Sequence, residues 1–372
     1  MPSVSRRVFL RRFAASLGAA SGVWALASCN QANSPTVVVH TVATSAPAPS
    51  ATPVPSTTPA PAASATVTAS MKKTVPAVSG PTATEMPSAT VMPSASPTAV
   101  SPPYLVVARG SDQPEELVNH AIAALGGIER FVKPGNDVII KPNICVAYHT
   151  YEYAATTNPW VVGALVKLCK GAGASRVRVY DYPFGGTPEQ AYKISGIQDQ
   201  VIAAGGEMQI PERMKFVKTD IPQGKDIHTW PIYEDILKAD VVINVPIAKS
   251  HDLARLTLGM KNLMGTVQNR ELLHYHLGQR LADLFSRVRP ALTVVDAVRI
   301  LMAHGPTGGN LADVKKLDTV LATADVVAAD TYAASFFGVK PADLDYITAG
   351  AKMGLGTSDL SSVKIAEITV GG

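Results

Sequence analysis

From Tyr104 onward, short runs of β-branched and aliphatic residues alternate with longer stretches of helical periodicity. That alternation predicts β/α units around a largely parallel sheet, because parallel neighbours need a crossover long enough to hold a helix. Strands are expected at Tyr104–Ala108, Asp137–Lys141, Arg176–Tyr180, Lys215–Thr219, Val241–Val245, Leu292–Val295, Thr319–Ala322 and Val363–Val370. Helices are expected between them, at Gln113–Phe131, Pro159–Gly171, Pro188–Ala204, Ile232–Lys238, Glu271–Val288, Asp325–Phe337 and Asp343–Met353. Asn158-Pro159 sets a capping side chain before a proline at the first helical position, and Gly171 and Gly173 follow a helix end. The fold class read from this pattern is α/β: a mostly parallel twisted sheet flanked by helices.

Before Tyr104 the pattern vanishes. Residues 30–103 hold half of the chain's 28 prolines, set among Ser, Thr, Ala and Val, and their only charges are Lys72, Lys73 and Glu85. Such a stretch cannot bury enough apolar surface to offset the entropy of ordering, so a disordered Pro/Ser/Thr/Ala-rich linker is expected. As a flexible coil it would separate its ends by roughly 50 Å.

The first residues read as an address. Ser5-Arg6-Arg7-Val8-Phe9-Leu10-Arg11 resembles the twin-arginine export motif, with Arg6 and Arg7 as the pair. The apolar run Phe13–Ala27 is too short to span a bilayer stably. It ends at Leu26-Ala27-Ser28-Cys29, which resembles a lipobox, where the thiol of Cys29 is acylated and the chain is cut before it. The expected organisation is therefore a signal peptide over 1–28, a lipidated cysteine and tether over 29–103, and one α/β domain over 104–372. The implied location is the extracytoplasmic face of the cell membrane, with the membrane as partner through the lipid. Twin-arginine export carries folded cargo, which often acquires a cofactor beforehand; no particular cofactor is indicated.

Charge then excludes one function class. The formal net charge of +4 comes from the leader, since four of the 33 basic residues are Arg6, Arg7, Arg11 and Arg12 and the rest balance 29 acidic ones. A neutral mature chain has no electrostatic footprint for nucleic acid. Of three cysteines, Cys145 and Cys169 remain after Cys29; they form either a disulfide or, in the simpler reading, two buried free thiols. No C-x-x-C occurs, so no iron–sulfur cluster or zinc ribbon is expected.

Polar residues gather after the strands: Lys141 and Asn143 after the second, Asp181 after the third, Lys249 and His251 after the fifth, Asp296 after the sixth. In open parallel sheets that carboxyl edge is where ligands bind. Lys141-Pro142-Asn143 directly follows Val138-Ile139-Ile140, so the proline ends the strand and holds two polar side chains at the rim. Further on, Asn244–His251 leads into Leu258-Gly259-Met260-Lys261-Asn262-Leu263-Met264-Gly265; a helix over Leu256–Leu263 would set Thr257 and Lys261 on one face. Lysines and amides at a strand edge suit an anionic oxygen. His251, His274, His276 and His304 offer metal ligands alongside Asp181 or Asp296, but His274 and His276 lie two apart and diverge on a helix. Whether a metal is bound is left open. His304-Gly305-Pro306-Thr307-Gly308-Gly309 reads as a turn whose backbone N–H groups can cradle an anion.

Taken in order, Val138-Ile139-Ile140-Lys141-Pro142-Asn143, Thr156-Thr157-Asn158-Pro159, Asp181, Lys249-Ser250-His251 and Lys261-Asn262-Leu263-Met264-Gly265 resemble the DUF362 family, a domain of unknown function. The resemblance spans essentially the whole folded part. Many relatives carry an appended ferredoxin-like module with cysteine-ligated clusters; this chain lacks those cysteines. The expectation is an enzyme acting on a small anionic substrate. Lys141, Asn143, Thr157, Lys261 and Asn262 would bind it, Lys249 and His251 would move protons, and Asp181 would orient them. The alternative is a non-catalytic ligand-binding or scaffold lipoprotein.

Overall fold

The structure is a computed structural model that describes residues 104–371. Arg6, Arg7, the cut before Cys29 and the tether lie outside the described residues. Within them, in chain order, the strands that share one sheet are β1 (Leu105–Arg109), β2 (Asp137–Pro142), β3 (Arg176–Val179), β4 (Glu207–Met208), β7 (Val241–Val245), β8 (Ile247–His251), β9 (Arg255–Thr257), β10 (Leu292–Leu301), β11 (Val314–Thr323) and β12 (Ile365–Thr369). Two more, β5 (Phe216–Asp220) and β6 (Thr229–Tyr233), pair antiparallel in a small separate sheet.

Eight strands lie in the order β12-β1-β11-β10-β7-β2-β3-β4, and all but β11 run the same way. The sheet is mostly parallel, as the alternating pattern predicts. Its strands are near-continuous runs of Val, Ile and Leu because both faces are covered. On one face, Val106, Val138, Ile140 and Val294 meet Leu117, Leu165, Tyr192 and Ile197 of helices α1 (Pro114–Ala124), α2 (Pro159–Gly171), α3 (Pro188–Ile194) and α4 (Ile197–Ala203). On the other, Val107, Ile139, Val295 and Leu321 meet Leu281, Val327 and Ile347. The elements of that second face are α5 (Glu234–Lys238), α6 (Gly259–Asn262), α7 (Arg270–Leu273), α8 (Leu277–Val288), α9 (Val326–Ala334) and α10 (Asp345–Lys352). Each such side chain contributes about 1.5–3 kcal/mol by leaving water.

Several predicted elements differ in instructive ways. The 113–131 helix stops at Ala124 because Gly126 and Gly127 take positive φ, which ends a right-handed helix. The 188–204 helix breaks at Gly196, φ +77, into α3 and α4. The strand expected at Lys215–Thr219 is β5; it joins β6, which occupies Ile232–Tyr233 where a helix start was expected. The helix expected from Glu271 is divided into α7, a 3-10 turn at His274–His276, and α8. β10 and β11 are each ten residues long, far beyond Leu292–Val295 and Thr319–Ala322, because they pair with each other antiparallel beyond the reach of β7 and β1. The helix expected over Leu256–Leu263 does not form: Arg255–Thr257 pairs with Lys249–His251 as a hairpin, and only Gly259–Asn262 is helical.

Candidate functional site

β2 and β7 pair as far as Lys141 with Asn244 and Pro142 with Val245, and there they part. Pro246 has no N–H to continue the ladder, and the chain turns onto β10, where Ile247 faces Asp296. The resulting split at the carboxyl edge is closed by a side chain. Thr157 Oγ1 accepts from the Asn143 N–H at 2.8 Å and donates to the Val245 carbonyl at 2.8 Å, standing where a ladder bond would have been. Thr157 is fully buried, and these bonds engage its hydroxyl as both acceptor and donor.

Above the split lies a buried polar network. Lys141 Nζ sits 2.7 Å from Asp181 Oδ1 and donates to Asn262 Oδ1 at 3.1 Å. Asn262 Oδ1 also takes Asn143 Nδ2 at 3.0 Å, while Asn262 Nδ2 donates to the Lys141 carbonyl and to Asn244 Oδ1. Asp181 further accepts the backbone N–H groups of Ile144 and Tyr182. Burial lowers the Lys141 pKa and the Asp181 charge opposes it. Gly265 closes the pair from outside: a Cβ there would overlap Asp181 Oδ1 and lie 2.6 Å from Lys141 Nζ. Gly265→Ala is therefore expected to cost at least about 2 kcal/mol by overpacking a site with no slack, measured as a lower urea midpoint at unchanged slope.

Lys249 is also buried, 0% exposed, and its ammonium is saturated. It donates to Asn143 Oδ1 at 3.0 Å, to the Pro306 carbonyl at 2.8 Å and to the Ala155 carbonyl, and it touches Cys145 Sγ at 3.2 Å. The lysine thus ties the loop after β2 to the 304–309 turn. That turn faces inward: Gly305 N donates to Ser250 Oγ and Gly308 N to the His304 carbonyl, so these N–H groups are used within the protein. Cys145 sits inside the cluster, against the Lys249 ammonium; both it and Cys169 are free and buried. Its signal in the sequence was only its place two residues after Asn143.

Lys261 differs from its neighbours. It is 8% exposed, and among the described residues its ammonium has no hydrogen bond and no ion pair. Burial, then the charge of Lys249, with smaller contributions from Arg270 and Lys141, lowers its pKa from 10.5 to about 7. His251 lies under the same field. Burial, Lys261 and Lys249 push it down to about 2, so its ring is neutral. Its Nδ1 accepts from the N–H groups of Leu253 and Ala254, which leaves the proton on Nε2. His274, 6.4 Å away ring to ring, is pushed down to about 4 by burial and Lys261. Arg270 holds the Tyr182 and Pro183 carbonyls and lies over the Tyr182 ring. Two buried hydroxyls, of Thr156 and Thr257, also lack partners among the described residues, and Thr257 stands opposite Lys249 in the β8–β9 ladder.

The structure thus brings Lys141, Asn143, Thr157, Asp181, Lys249, Lys261 and Asn262 into one neighbourhood, with His251 coupled to Lys261. Asp296 is apart in role: fully buried, it caps Asn158 N and binds Val298 N, and burial raises its pKa to about 6. Asp330, raised to about 7 by burial, accepts the N–H groups of Gly259 and Met260 and anchors α6. Among the described residues no three His, Cys, Asp or Glu side chains are grouped to hold a metal, and no helix is long and apolar enough to cross a membrane. A cleft of about 320 Å³ opens elsewhere, between Arg178, Glu207, Gln209 and Asp235, where the ions pair with one another.

Fold and site together define a mostly parallel α/β protein with a buried cationic network at the carboxyl edge of its sheet. The chain belongs to the family described as Domain of unknown function (DUF362), whose model matches residues 138–335. That span runs from β2 through α9 and contains the whole network. A thylakoid-associated protein of Synechocystis is 26% identical over 246 residues, covering 62% of this chain and 72% of that protein. Among solved structures, the lactate racemase apoprotein of Thermoanaerobacterium thermosaccharolyticum aligns at TM-score 0.40 and 10% identity, over 62% of this chain and 56% of that one. A structural-genomics protein of Thermotoga maritima aligns at TM-score 0.38 and 12% identity, over 62% and 60%. This chain spans less than two thirds of either.

Proposed function

We propose that this is a lipid-tethered, twin-arginine-exported protein whose domain binds a small anion on Lys261 and acts on it as an enzyme. The observation that carries this reading is a lysine left only 8% exposed whose ammonium has no partner among the described residues. A largely desolvated charge without a counter-ion is costly. An anion arriving from outside supplies one. Lys261, close to half neutral near pH 7, takes the proton-transfer role expected of Lys249. His251 offers a neutral Nε2–H to a developing oxyanion. Asp181, Lys141, Asn143, Asn262, Thr157 and Lys249 act as positioning groups, because their polar atoms are already engaged with the protein.

That same saturation favours a second reading, a ligand-binding lipoprotein without turnover, since few groups remain for chemistry. The two separate in one experiment: titrate the protein with sulfate and phosphate, then screen small phosphorylated and carboxylated metabolites for turnover. Binding with turnover that is lost in Lys261→Met supports the enzyme; binding without any turnover supports the alternative; no anion binding removes both.

The address is tested separately. Arg6→Lys with Arg7→Lys is expected to leave the protein in the cytoplasm, and Cys29→Ala to release exported protein from the membrane fraction. Unchanged fractionation in both would remove the export and anchoring proposal.

A further inference from the structure

The loops that carry the charges acting on Lys261 are joined to one another. Phe184 N donates to the Cys145 carbonyl and Ala147 N to the Gly185 carbonyl, joining the loop after β2 to the loop after β3. Arg270 holds Tyr182 and Pro183, which adds α7. His274 faces His251, which adds the β8–β9 turn, and Lys249 on Cys145 returns to the start. From these segments Tyr148, Phe184, Leu253 and Tyr275 stand 55%, 56%, 55% and 58% exposed, and Leu272 41%. A single exposed apolar side chain means nothing. Five are carried by the four segments that these contacts join, the segments that also carry or border Lys249, Arg270 and His251.

We propose that the ligand is a single amphiphilic anion: its charged head enters to Lys261, and an alkyl or ring body lies across Tyr148, Phe184, Leu253, Leu272 and Tyr275. This rests on the anion-binding reading above and adds the substrate class to it. Charge and depth together select the occupant. Lys141 and Lys249 are 0% exposed and Lys261 8%, so the positive charge is recessed. A flat lipid surface reads exposed cations, whereas a recessed one is reached by a molecule that enters head first. The five apolar side chains then cover the part of that molecule left outside.

Ethyl, hexyl and decyl sulfate below their micelle concentrations test this, because the head is constant and stays ionised. Calorimetric titration uses the full chain with Cys29→Ser in detergent-free buffer. Affinity is expected to rise about threefold per added methylene between ethyl and hexyl sulfate. Phe184→Ser with Tyr275→Ser is expected to flatten that rise while leaving ethyl sulfate affinity within about twofold, since ethyl sulfate has no body long enough for them to cover. Equal affinity for all three sulfates overturns the inference and leaves the anion site standing. No binding of any of them, or of inorganic sulfate, removes the anion site itself. If the double variant loses sedimentation with phosphatidylglycerol vesicles but keeps its hexyl sulfate affinity, those side chains are a membrane contact and the inference is overturned.

Discussion

Lys261→Met is expected to weaken small-anion binding by about a hundredfold while making the folded domain more stable. The two effects have one cause. Lys261 is only 8% exposed and its ammonium is unpartnered among the described residues, so the unliganded protein carries an uncompensated charge that methionine, of similar length, removes. A charge-assisted contact to a ligand contributes about 1.5–3 kcal/mol and losing it is worth one to two orders of magnitude in affinity. Removing an unpaired buried charge returns about 1–3 kcal/mol, or several degrees in Tm for a domain of this size. A surface lysine would give neither effect, and a purely structural lysine would give destabilisation. Calorimetric titration with sulfate and a thermal melt of both proteins read the two together. Retained binding, or a fall in Tm, would remove Lys261 from the site.

Asp181→Asn is expected to act in the opposite direction on stability, and more strongly. Asp181 and Lys141 are buried to within 3% and 1% exposure of their side chains and lie 2.7 Å apart. Replacing the carboxylate strands the Lys141 ammonium with only amide and carbonyl oxygens, and breaking a buried pair from one side costs about 3–5 kcal/mol. The loss corresponds to a Tm lower by on the order of 10 °C. Asparagine also presents an amide where Ile144 N and Tyr182 N require acceptors, which adds to the cost. Lys141→Met in the Asp181→Asn background should recover part of the loss, because both charges are then gone. Additive losses in the double variant would show that the two groups do not interact.

Much of this was legible in the sequence, for reasons that differ by element. The parallel sheet was readable because strands covered on both faces must be apolar throughout, as in Val138-Ile139-Ile140 and Val241-Val242-Ile243. The site edge was readable because Pro142 stops β2 at a polar pair, Lys141 and Asn143, and the structure places both in the network. The β8–β9 hairpin was not readable. Lys249-Ser250-His251 looks like a polar loop, and only the partner β10 and the acceptors Asn143, Ala155 and Pro306 make it a buried strand. Those contacts reach across separations of up to 106 residues, beyond any local pattern. The same reason hid the difference between Lys249 and Lys261. Both are lysines beside apolar runs, yet one meets four partners and the other none among the described residues. β11 was readable only over Thr319–Ala322, because Lys315, Lys316 and Asp318 break its alternation in the half that pairs with β10 beyond the reach of β1.

The central claim is that Lys261 is a buried ammonium kept for an anion, and its titration tests this most directly. The account predicts that the side-chain Cε resonance of Lys261 titrates with a midpoint near 7, assigned by its loss in Lys261→Met. Below that pH the ammonium is charged and sulfate binds tightly. Above it the amine is neutral, so sulfate affinity falls about tenfold per pH unit, and binding takes up a proton. Adding sulfate must therefore move the midpoint upward. A midpoint at the ordinary lysine value of 10.5, unmoved by sulfate, would contradict the account.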